Sequence, residues 1–418
     1  MVNQKIYTLT NGLLVGLEKD DSKIVSVKLI LNTGLLDELP GDEGISHYVE
    51  HMIIRGGSKK YTQTKCDEIN RSFTYNATTY SDKTEYIGSF LAEDTNLFID
   101  YLSDTVFNPI FDNNKLEEER KRILQEISDK KGDYVFKDFK LFYDELFGKY
   151  ANHNYDASLE KSVISSATVK QLKKFHKNNY LPGNSKLIIK GDFPDNIEDL
   201  IITNFGDLKG SKKKIIHQTP QNINGPRIIH TRATETESLV IKIGIPIYSD
   251  KKEEKTLIDL ISYILGGAYN FESELFNSLS LKKGLVYSIN VNYNNNCIFI
   301  NCRTNPNNKE ETIDAIFSSF EDIRTKLIPE DKLNHIKKKA KYGILLINEL
   351  SKHSFEGLED KINGDNFDEN IDIINNVTPE NIKETAIKFL PENKNGNYVM
   401  LLKDPLKESE TNQSDYTI

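Results

Sequence analysis

The segment Gly44–Arg55 constrains the fold more strongly than any other part of this chain, because its residues divide between two faces of one helix. At about 100° per residue, His47, Glu50 and His51 lie on one face. The apolar residues recur at the spacing of a stripe that packs against a core. They are Ile45, Tyr48, Val49, Met52 and Ile53. The sequence therefore predicts a helix with a buried face and a separate polar face.

The polar face of this helix carries the residue types of a metal site. Two imidazoles one turn apart can bind one metal ion, and a carboxylate beside them can transfer protons. Their order, H-x-x-E-H, is the inverse of the H-E-x-x-H order. A solvated helix face is the alternative, since so short a motif can arise by chance. A catalytic metal also needs a third protein ligand, which must come from another element.

Composition restricts the classes of protein to which the chain can belong. A length of 418 residues favours two or more domains. The net charge of −9 argues against a nucleic-acid partner, and no apolar run approaches the length of a membrane span. Three cysteines without a C-x-x-C pair indicate a reducing compartment. Without an apolar leader pattern at the start, we expect a cytoplasmic protein that is not inserted in a membrane.

The pattern of predicted elements occurs twice. Strands are expected at 5–19 and 24–33, a hairpin or a pair of strands at 74–91 and a charged helix at 113–130. Asp42 is the expected N-cap of the helix that carries His47 and His51, called the metal helix below. Beyond an aperiodic stretch the order restarts, with a strand at 239–243, a helix at 253–266 and strands at 285–302.

This repetition predicts an α+β fold of two similar domains, each an antiparallel-rich sheet packed with helices. The predicted divisions are an N-terminal domain at 1–205, a linker at 206–226, a C-terminal domain at 227–405 and a polar tail at 406–418. The second copy lacks His and Glu at the positions of the metal helix, so the metal chemistry is assigned to the first domain.

A second motif connects the metal helix to a known family. The helix at 113–130 contains Glu119–Glu126, which reads E-R-x-x-I-x-x-E some 75 residues after H-x-x-E-H. This pair of motifs strongly resembles the M16 metallopeptidases, the family of pitrilysin, insulysin and the mitochondrial-processing peptidase. The resemblance extends over nearly the whole chain and includes the repeated domain layout.

The resemblance implies a mononuclear zinc site, with one Zn²⁺ per chain bound by His47, His51 and Glu126. Glu50 is then the general base that takes a proton from the water at the metal before this water attacks a peptide carbonyl. Glu119 is expected to orient a ligand from outside the first coordination sphere. A solvated glutamate in an acidic helix is the equally weighted alternative for Glu119.

A third segment matches the substrate strand of the family. The N-A-x-T…T-x-Y pattern is present as Asn76–Thr79 with Thr84 and Tyr86. The resemblance implies an edge strand to which an extended peptide adds, so Asn76, Ala77 and Thr78 are predicted to bind substrate. Ile54 occupies a position that is commonly Phe and predicts an apolar residue after the cut, with ordinary packing as the alternative.

The second domain departs from the family pattern. Members that complete the site from this domain carry R-E-x-x-G-L-x-Y, whereas this chain has Ser280–Tyr287. Tyr287 can hydrogen-bond the substrate or the developing oxyanion, but Ser280 replaces the Arg. Neither Lys282 nor Lys283 has the forked donor geometry of a guanidinium. Because some two-domain members are heterodimers, we expect this chain to be the zinc-bearing subunit of one, or of a homodimer.

The sequence thus predicts a zinc endopeptidase that cleaves peptides or precursor and leader peptides. The competing hypothesis is a non-catalytic scaffold or partner subunit of the same fold. Retention of His47, Glu50, His51 and Glu126 together favours the enzyme. A chance motif in an unrelated α+β protein is the least favoured interpretation.

Overall fold

The computed structural model of the protein describes residues 3–131, 134–148, 157–210, 220–233, 237–266, 273, 275, 279, 284–351, 355–364 and 367–405. The strands, β1 to β11 in chain order, are Asn3–Thr8, Leu14–Lys19, Ile24–Leu31, Thr74–Thr79, Thr84–Leu91, Ser185–Gly191, Pro226–Ala233, Leu239–Pro246, Val286–Asn294, Cys297–Thr304 and Tyr398–Pro405.

The helices, α1 to α14 in chain order, are Ile45–Arg55, Gln63–Ser72, Thr95–Phe107, Asn113–Lys131, Tyr134–Phe147, Ala157–Ser166, Val169–Asn179, Ile197–Phe205, Lys252–Leu265, Lys309–Thr325, Glu330–Ser351, Glu356–Asn363, Phe367–Asn376 and Pro379–Phe389. Within the residues that the structure describes, no helix is both long enough and apolar enough to cross a membrane.

The first compact unit contains a sheet with the strand order β1-β2-β6-β3-β5-β4. β2 and β6 run parallel, and the other neighbouring strands run antiparallel. The strands β4 and β5 form the hairpin expected at 74–91. In this order β4 is the last strand, so it lies at an edge of the sheet.

The second compact unit repeats the arrangement. Its strand order is β7-β11-β8-β10-β9, with β7 and β11 parallel and the other neighbours antiparallel. This order corresponds strand for strand to β2-β6-β3-β5-β4. The predicted α+β fold of two similar domains is therefore confirmed.

Both units are built from discontinuous parts of the chain. The first contains β1–β6, α1–α4, α6–α8 and α12, and the second contains α5, β7–β11, α9–α11, α13 and α14. Each unit thus includes one helix that lies within the other unit's stretch of sequence. The domain boundaries proposed from the sequence, at 205 and 227, remain predictions.

In the first unit, α12 covers the sheet face opposite the main core. Alternate residues of a strand point to opposite faces, and Ile30 and Ile188 point away from that core, toward Leu358 and Ile362 of α12. Gly16 makes room for the helix, since a Cβ at this position would lie 2.3 Å from the Cδ1 atom of Ile362.

A group of charged residues accompanies this apolar contact. Lys28 Nζ lies 3.0 Å from Glu359 Oε2 and 3.6 Å from Glu85 Oε2. Lys83 Nζ lies 2.6 Å from Glu85 Oε1 and 3.5 Å from Glu359 Oε1. The four charges are mutually paired, as charged groups on a covered sheet face must be.

In the second unit, α5 packs on the sheet with an aromatic surface instead. The Nζ atom of Lys242, on β8, lies 4.9 Å from the ring centre of Phe142 and 4.8 Å from that of Tyr143. Burial lowers the pKa of Lys242 to about 8. Gly244 leaves space for Leu146, whose Cδ1 atom would otherwise lie 2.5 Å from a Cβ.

The start of the metal helix α1 differs from the expectation. The N-cap residue is Gly44, in the left-handed conformation at φ 87°, and it has no side-chain cap. Glu38 supplies the acceptors, because its side-chain carboxyl oxygens receive hydrogen bonds from the backbone N–H groups of Gly44 at 2.9 Å and of Ser46 at 2.8 Å. The expectation of Asp42 as N-cap is wrong, and this side chain accepts a hydrogen bond from Gln171 instead.

We expect Gly16→Val to lower the free energy of unfolding by about 1–3 kcal/mol, because the added methyl groups collide with Ile362. Urea unfolding monitored by circular dichroism measures the change. Ile362→Ala provides the matched control, since it removes the colliding atoms. In that background Gly16→Val should cost less, and strictly additive effects would contradict this packing.

Glu38 should make the stability of the protein depend on pH. Burial raises the pKa of Glu38 to about 8, whereas an unfolded glutamate titrates near its usual value of about 4.3. The folded state therefore holds the proton more tightly, and the resulting stabilisation is complete below about pH 4.3 and is lost as the pH rises through about 8. Urea unfolding between pH 5 and 8 should show a smaller loss of stability for Glu38→Gln than for the unaltered protein. Equal slopes would contradict this assignment.

Candidate metal centre

The two faces predicted for α1 are present in the structure. Its apolar stripe is buried in the core of the first unit. The opposite face brings His47, Glu50 and His51 to one cleft. The rings of the two histidines meet edge to face, with their centroids 4.7 Å apart. The local helical spacing is sufficient to explain this part of the site.

The helix α4 brings Glu126 to the histidines. Glu126 Oε2 lies 3.7 Å from His47 Nε2 and 3.8 Å from His51 Nε2. The ligand atoms of the three residues all lie within 4.8 Å of one another. Two donors on one tetrahedral zinc, each about 2.1 Å from the ion, are about 3.4 Å apart. Two imidazoles and one carboxylate with this spacing fit a zinc ion.

Several contacts fix α4 against its neighbours. Tyr48, on the buried face of α1, donates a hydrogen bond from its hydroxyl to the carbonyl oxygen of Leu116. Arg120 donates to the carbonyl oxygen of Ala167 at 2.8 Å. Ile123 and Ile127 lie in the core of the first unit. The carboxylate of Glu126 is therefore held by a rigid helix, although its own side chain is 45% exposed.

Glu119 is fully buried behind His51, so a solvated surface glutamate does not describe it. Its Oε2 atom lies 3.1 Å from His51 Nδ1, and its Oε1 atom lies 3.3 Å from Lys115 Nζ and 3.6 Å from Arg122 Nε. Burial raises the pKa of Glu119, but the His51 hydrogen bond and the two cations outweigh burial, so the pKa lies below its usual value. The ionised Glu119 accepts a hydrogen bond from the Nδ1–H group of His51, which leaves Nε2 of His51 available to a metal.

Glu50 lies in the same cleft and is almost fully buried. Burial raises the pKa of Glu50, nearby Glu126 raises it further, and His51 and a hydrogen bond from Thr79 oppose the rise. The Thr79 hydroxyl donates this bond to Glu50 Oε2 at 3.0 Å. A raised pKa brings a carboxylate closer to the operating range of a general base near neutral pH.

The edge strand β4 forms the wall of a cleft of about 360 Å³. Asn76, Ala77 and Thr78 line it, and so does Ile54. Asn76 and Thr78 are exposed, whereas Ala77 and Ile54 are half-buried and also pack against the core. Both interpretations of Ile54, a cleft wall and a packing residue, are therefore compatible with its surroundings.

Sequence reasoning did not select two further residues of the cleft as site residues. Arg55 lines the cleft, and its Nε atom lies 3.7 Å from Glu119 Oε2. Thr79, the fourth residue of the N-A-x-T pattern, hydrogen-bonds Glu50. The N-A-x-T pattern includes Thr79, so the sequence alone could have selected it as a candidate site residue. Nothing in the sequence indicated that its hydroxyl contacts Glu50.

The residues predicted from the second domain belong to the second unit. Tyr287 lies on β9, the last strand of that sheet, and its side chain is 70% exposed. Ser280, Lys282 and Lys283 lie outside the described residues. Within the described part of the chain, the cluster of His47, His51 and Glu126 is the group that can hold a metal ion.

Comparison with known proteins matches two separate parts of the chain to models of one protein family. A family model described as insulinase (peptidase family M16) matches residues 14–140. A second model, described as peptidase M16 inactive domain, matches residues 166–340. Together the two matches cover most of the chain. The second match covers most of the half that lacks the metal motif.

Individual relatives match either nearly the whole chain or about half of it. The chain is 25% identical to an uncharacterized zinc protease of Bacillus subtilis over 405 residues, which is 93% of this chain and 96% of that protein. It is 29% identical over 206 residues to the beta subunit of the mitochondrial-processing peptidase of Dictyostelium discoideum, covering 47% of this chain and 42% of that one. The first half of the periplasmic protease PqqL from Escherichia coli has the same fold, with a TM-score of 0.79 at 16% identity over 96% of this chain and 92% of that chain. The two family matches and the shared fold lead to one conclusion: the chain belongs to the M16 family of peptidases.

Proposed function

We propose that the chain is a zinc-dependent endopeptidase that hydrolyses peptides or precursor and leader peptides. The observation that carries the proposal is the convergence of His47, His51 and Glu126, with Glu50 beside them and an edge strand along the same cleft. His47, His51 and Glu126 would hold one zinc ion. When bound, the metal supplies a Lewis acid that lowers the pKa of a water ligand and polarises a carbonyl.

Side chains at the cleft provide proton transfer and hold the metal ligand His51 in place. Glu50 accepts the proton of the attacking water and returns it to the leaving amine, a role that suits its raised pKa. Glu119 accepts a hydrogen bond from Nδ1–H of His51 and so keeps the proton on Nδ1. The unprotonated Nε2, on the side of Glu126, can then bind the metal. No side-chain nucleophile is needed, because water attacks the peptide directly.

The edge strand supports an extended peptide as the substrate. A peptide that adds to β4 pairs with main-chain groups, so recognition depends little on its side chains. Asn76 and Thr78 are exposed along this strand, and the small side chain of Ala77 permits close approach. Ile54 then favours an apolar residue next to the cut. Unfolded precursor or leader segments meet these requirements better than folded domains do.

The buried carboxylates favour the enzyme over a non-catalytic scaffold subunit. Glu119 has no exposed surface, and Glu50 is almost as deeply buried. Burying an anion costs free energy unless partners compensate for the loss of hydration. A scaffold gains nothing from holding two such groups beside a pair of histidines.

The proposed assembly is a dimer in which this chain is the zinc-bearing subunit. The similarity to a beta subunit of the mitochondrial-processing peptidase and the replacement of Arg by Ser280 support a heterodimer. A homodimer is the second candidate. Tyr287, exposed on β9, is proposed to hydrogen-bond the substrate or the oxyanion.

The proposed location is the cytoplasm. This assignment rests on the three unpaired cysteines, all of which are buried. The fold itself does not determine the compartment, because a structural relative is a periplasmic protease.

Glu126→Gln should weaken zinc binding by at least about 10-fold, because an amide oxygen is a weaker ligand than a carboxylate. Zinc content after dialysis against a weak chelator measures the change. Glu118→Gln is the matched control, since Glu118 lies on the same helix but pairs with Lys115. Equal zinc retention in both variants would remove Glu126 from the ligand set.

Glu50→Gln should lower kcat by about 10²-fold or more while zinc content stays unchanged, because the variant loses its general base but no ligand. Hydrolysis of a quenched fluorescent peptide library by the purified chain, alone and with a partner co-purified from the native host, measures the effect. Full activity of Glu50→Gln would contradict the role of Glu50. Full activity of the unaltered chain without a partner would reject the heterodimer.

A further inference from the structure

We propose that Thr79 is a positioning residue, which holds the carboxylate of Glu50 in the cleft and links it to the edge strand β4. The inference rests on the proposed function, since it concerns the group assigned there as general base. It adds a residue that acts through Glu50 and does not touch the reacting atoms. Three features carry it: the contact itself, the rigidity of Thr79, and the position of Thr79 on the substrate strand.

The contact joins two elements that are distant in the chain. The Thr79 hydroxyl donates to Glu50 Oε2 at 3.0 Å across 29 positions of sequence. Within the described part of the chain, Thr79 is the side chain that hydrogen-bonds this carboxylate. His51, the next residue on α1, directs its Nδ1 atom to Glu119 instead. The backbone of Thr79 also hydrogen-bonds Glu50, so this residue holds the carboxylate through two contacts. Without the hydroxyl, Glu50 keeps the main-chain contact but loses the side-chain donor that narrows its range of conformations.

Thr79 is well suited to this task because its own position is fixed. It is β-branched, so its χ1 angle is restricted, and it pairs with Thr84 at the end of the hairpin. Thr84 is anchored by a hydrogen bond from its hydroxyl to the carbonyl oxygen of Thr33 at 2.9 Å. The hairpin turn is closed by a bond from Tyr80 N to Lys83 O at 2.7 Å.

The segment that follows β3 fixes the hairpin turn through backbone hydrogen bonds. The backbone N–H of Leu35 donates to Tyr80 O at 3.2 Å, and that of Leu36 donates to Ser81 O at 2.8 Å. Gly34 permits this approach, because a Cβ there would lie 2.2 Å from Tyr80 O. The hydroxyl of Thr79 is therefore positioned by the fold before any substrate binds.

Because Thr79 lies on the edge strand, it connects substrate binding with the orientation of Glu50. The strand to which the peptide adds also orients Glu50, so one rigid element sets both the register of the substrate and the direction of the base. Loss of the hydroxyl should leave the main-chain pairing intact. The effect should therefore fall on kcat and leave KM largely unchanged.

The test compares Thr79→Val, which has the same shape without the donor, with Thr79→Ser, which keeps the donor. Thr79→Val should lower kcat about 10- to 100-fold, with KM within about twofold and full zinc content. Thr79→Ser should recover most of the rate. Thr8→Val is the matched control, because Thr8 is exposed on β1, the strand at the opposite edge of this sheet, and it should behave as the unaltered chain does.

Crystal structures of the unaltered chain, Thr79→Val and Thr79→Ser supply a readout that is independent of turnover. The Glu50 carboxylate should leave its position in Thr79→Val and keep it in Thr79→Ser. An unmoved Glu50 in Thr79→Val, an unchanged kcat, a rise in KM alone, or a loss of zinc would each overturn the inference. If the unaltered chain hydrolyses no peptide with any partner, the proposed function fails, and the position of Glu50 in these structures still decides the role of Thr79.

Discussion

The site depends on the contact between α1 and α4, and the centre of that contact is the buried carboxylate of Glu119. A charge without solvent exposure is tolerated only when its partners compensate for the lost hydration. His51 supplies a hydrogen bond from α1, and Lys115 and Arg122 supply positive charge from α4 itself. This arrangement fixes the orientation of His51 and sets the relative position of the two helices. Glu126, two turns further along α4, thereby reaches both histidines.

Five strands follow the same order in both units, yet within the part of the chain that the structure describes the ligand pair lies on α1 alone. In the first unit, α1 presents two histidines and a glutamate, whereas α9 of the second unit has none of these types at matching positions. Even the helices that cover the outer sheet faces differ in chemistry. Lys28 meets carboxylates under α12, whereas Lys242 meets aromatic rings under α5. A duplicated backbone thus leaves each copy free to acquire its own side-chain chemistry.

Periodicity predicted the elements around the site well, because helical and strand spacing are local properties of the chain. It predicted α1, the β4–β5 hairpin and α4 close to their observed bounds. It did not predict that α5 and α12 each pack in the unit built mainly from the other half of the chain, because an amphipathic helix does not specify the sheet it covers. It also missed Glu38 as the acceptor at the start of α1, because this carboxylate comes from a loop and not from the adjacent residues.

By itself, the sequence determined that His47, Glu50 and His51 share one helix face, since a rotation of 100° per residue leaves no other arrangement. It also placed Asn76, Ala77 and Thr78 on one β-rich segment. Only the tertiary structure decided that Glu126 meets the histidines, that Glu119 is buried behind His51, and that the Thr79 hydroxyl reaches Glu50. These contacts join residues between 29 and 79 positions apart, and their geometry is set by the packing of whole helices and strands against a shared core.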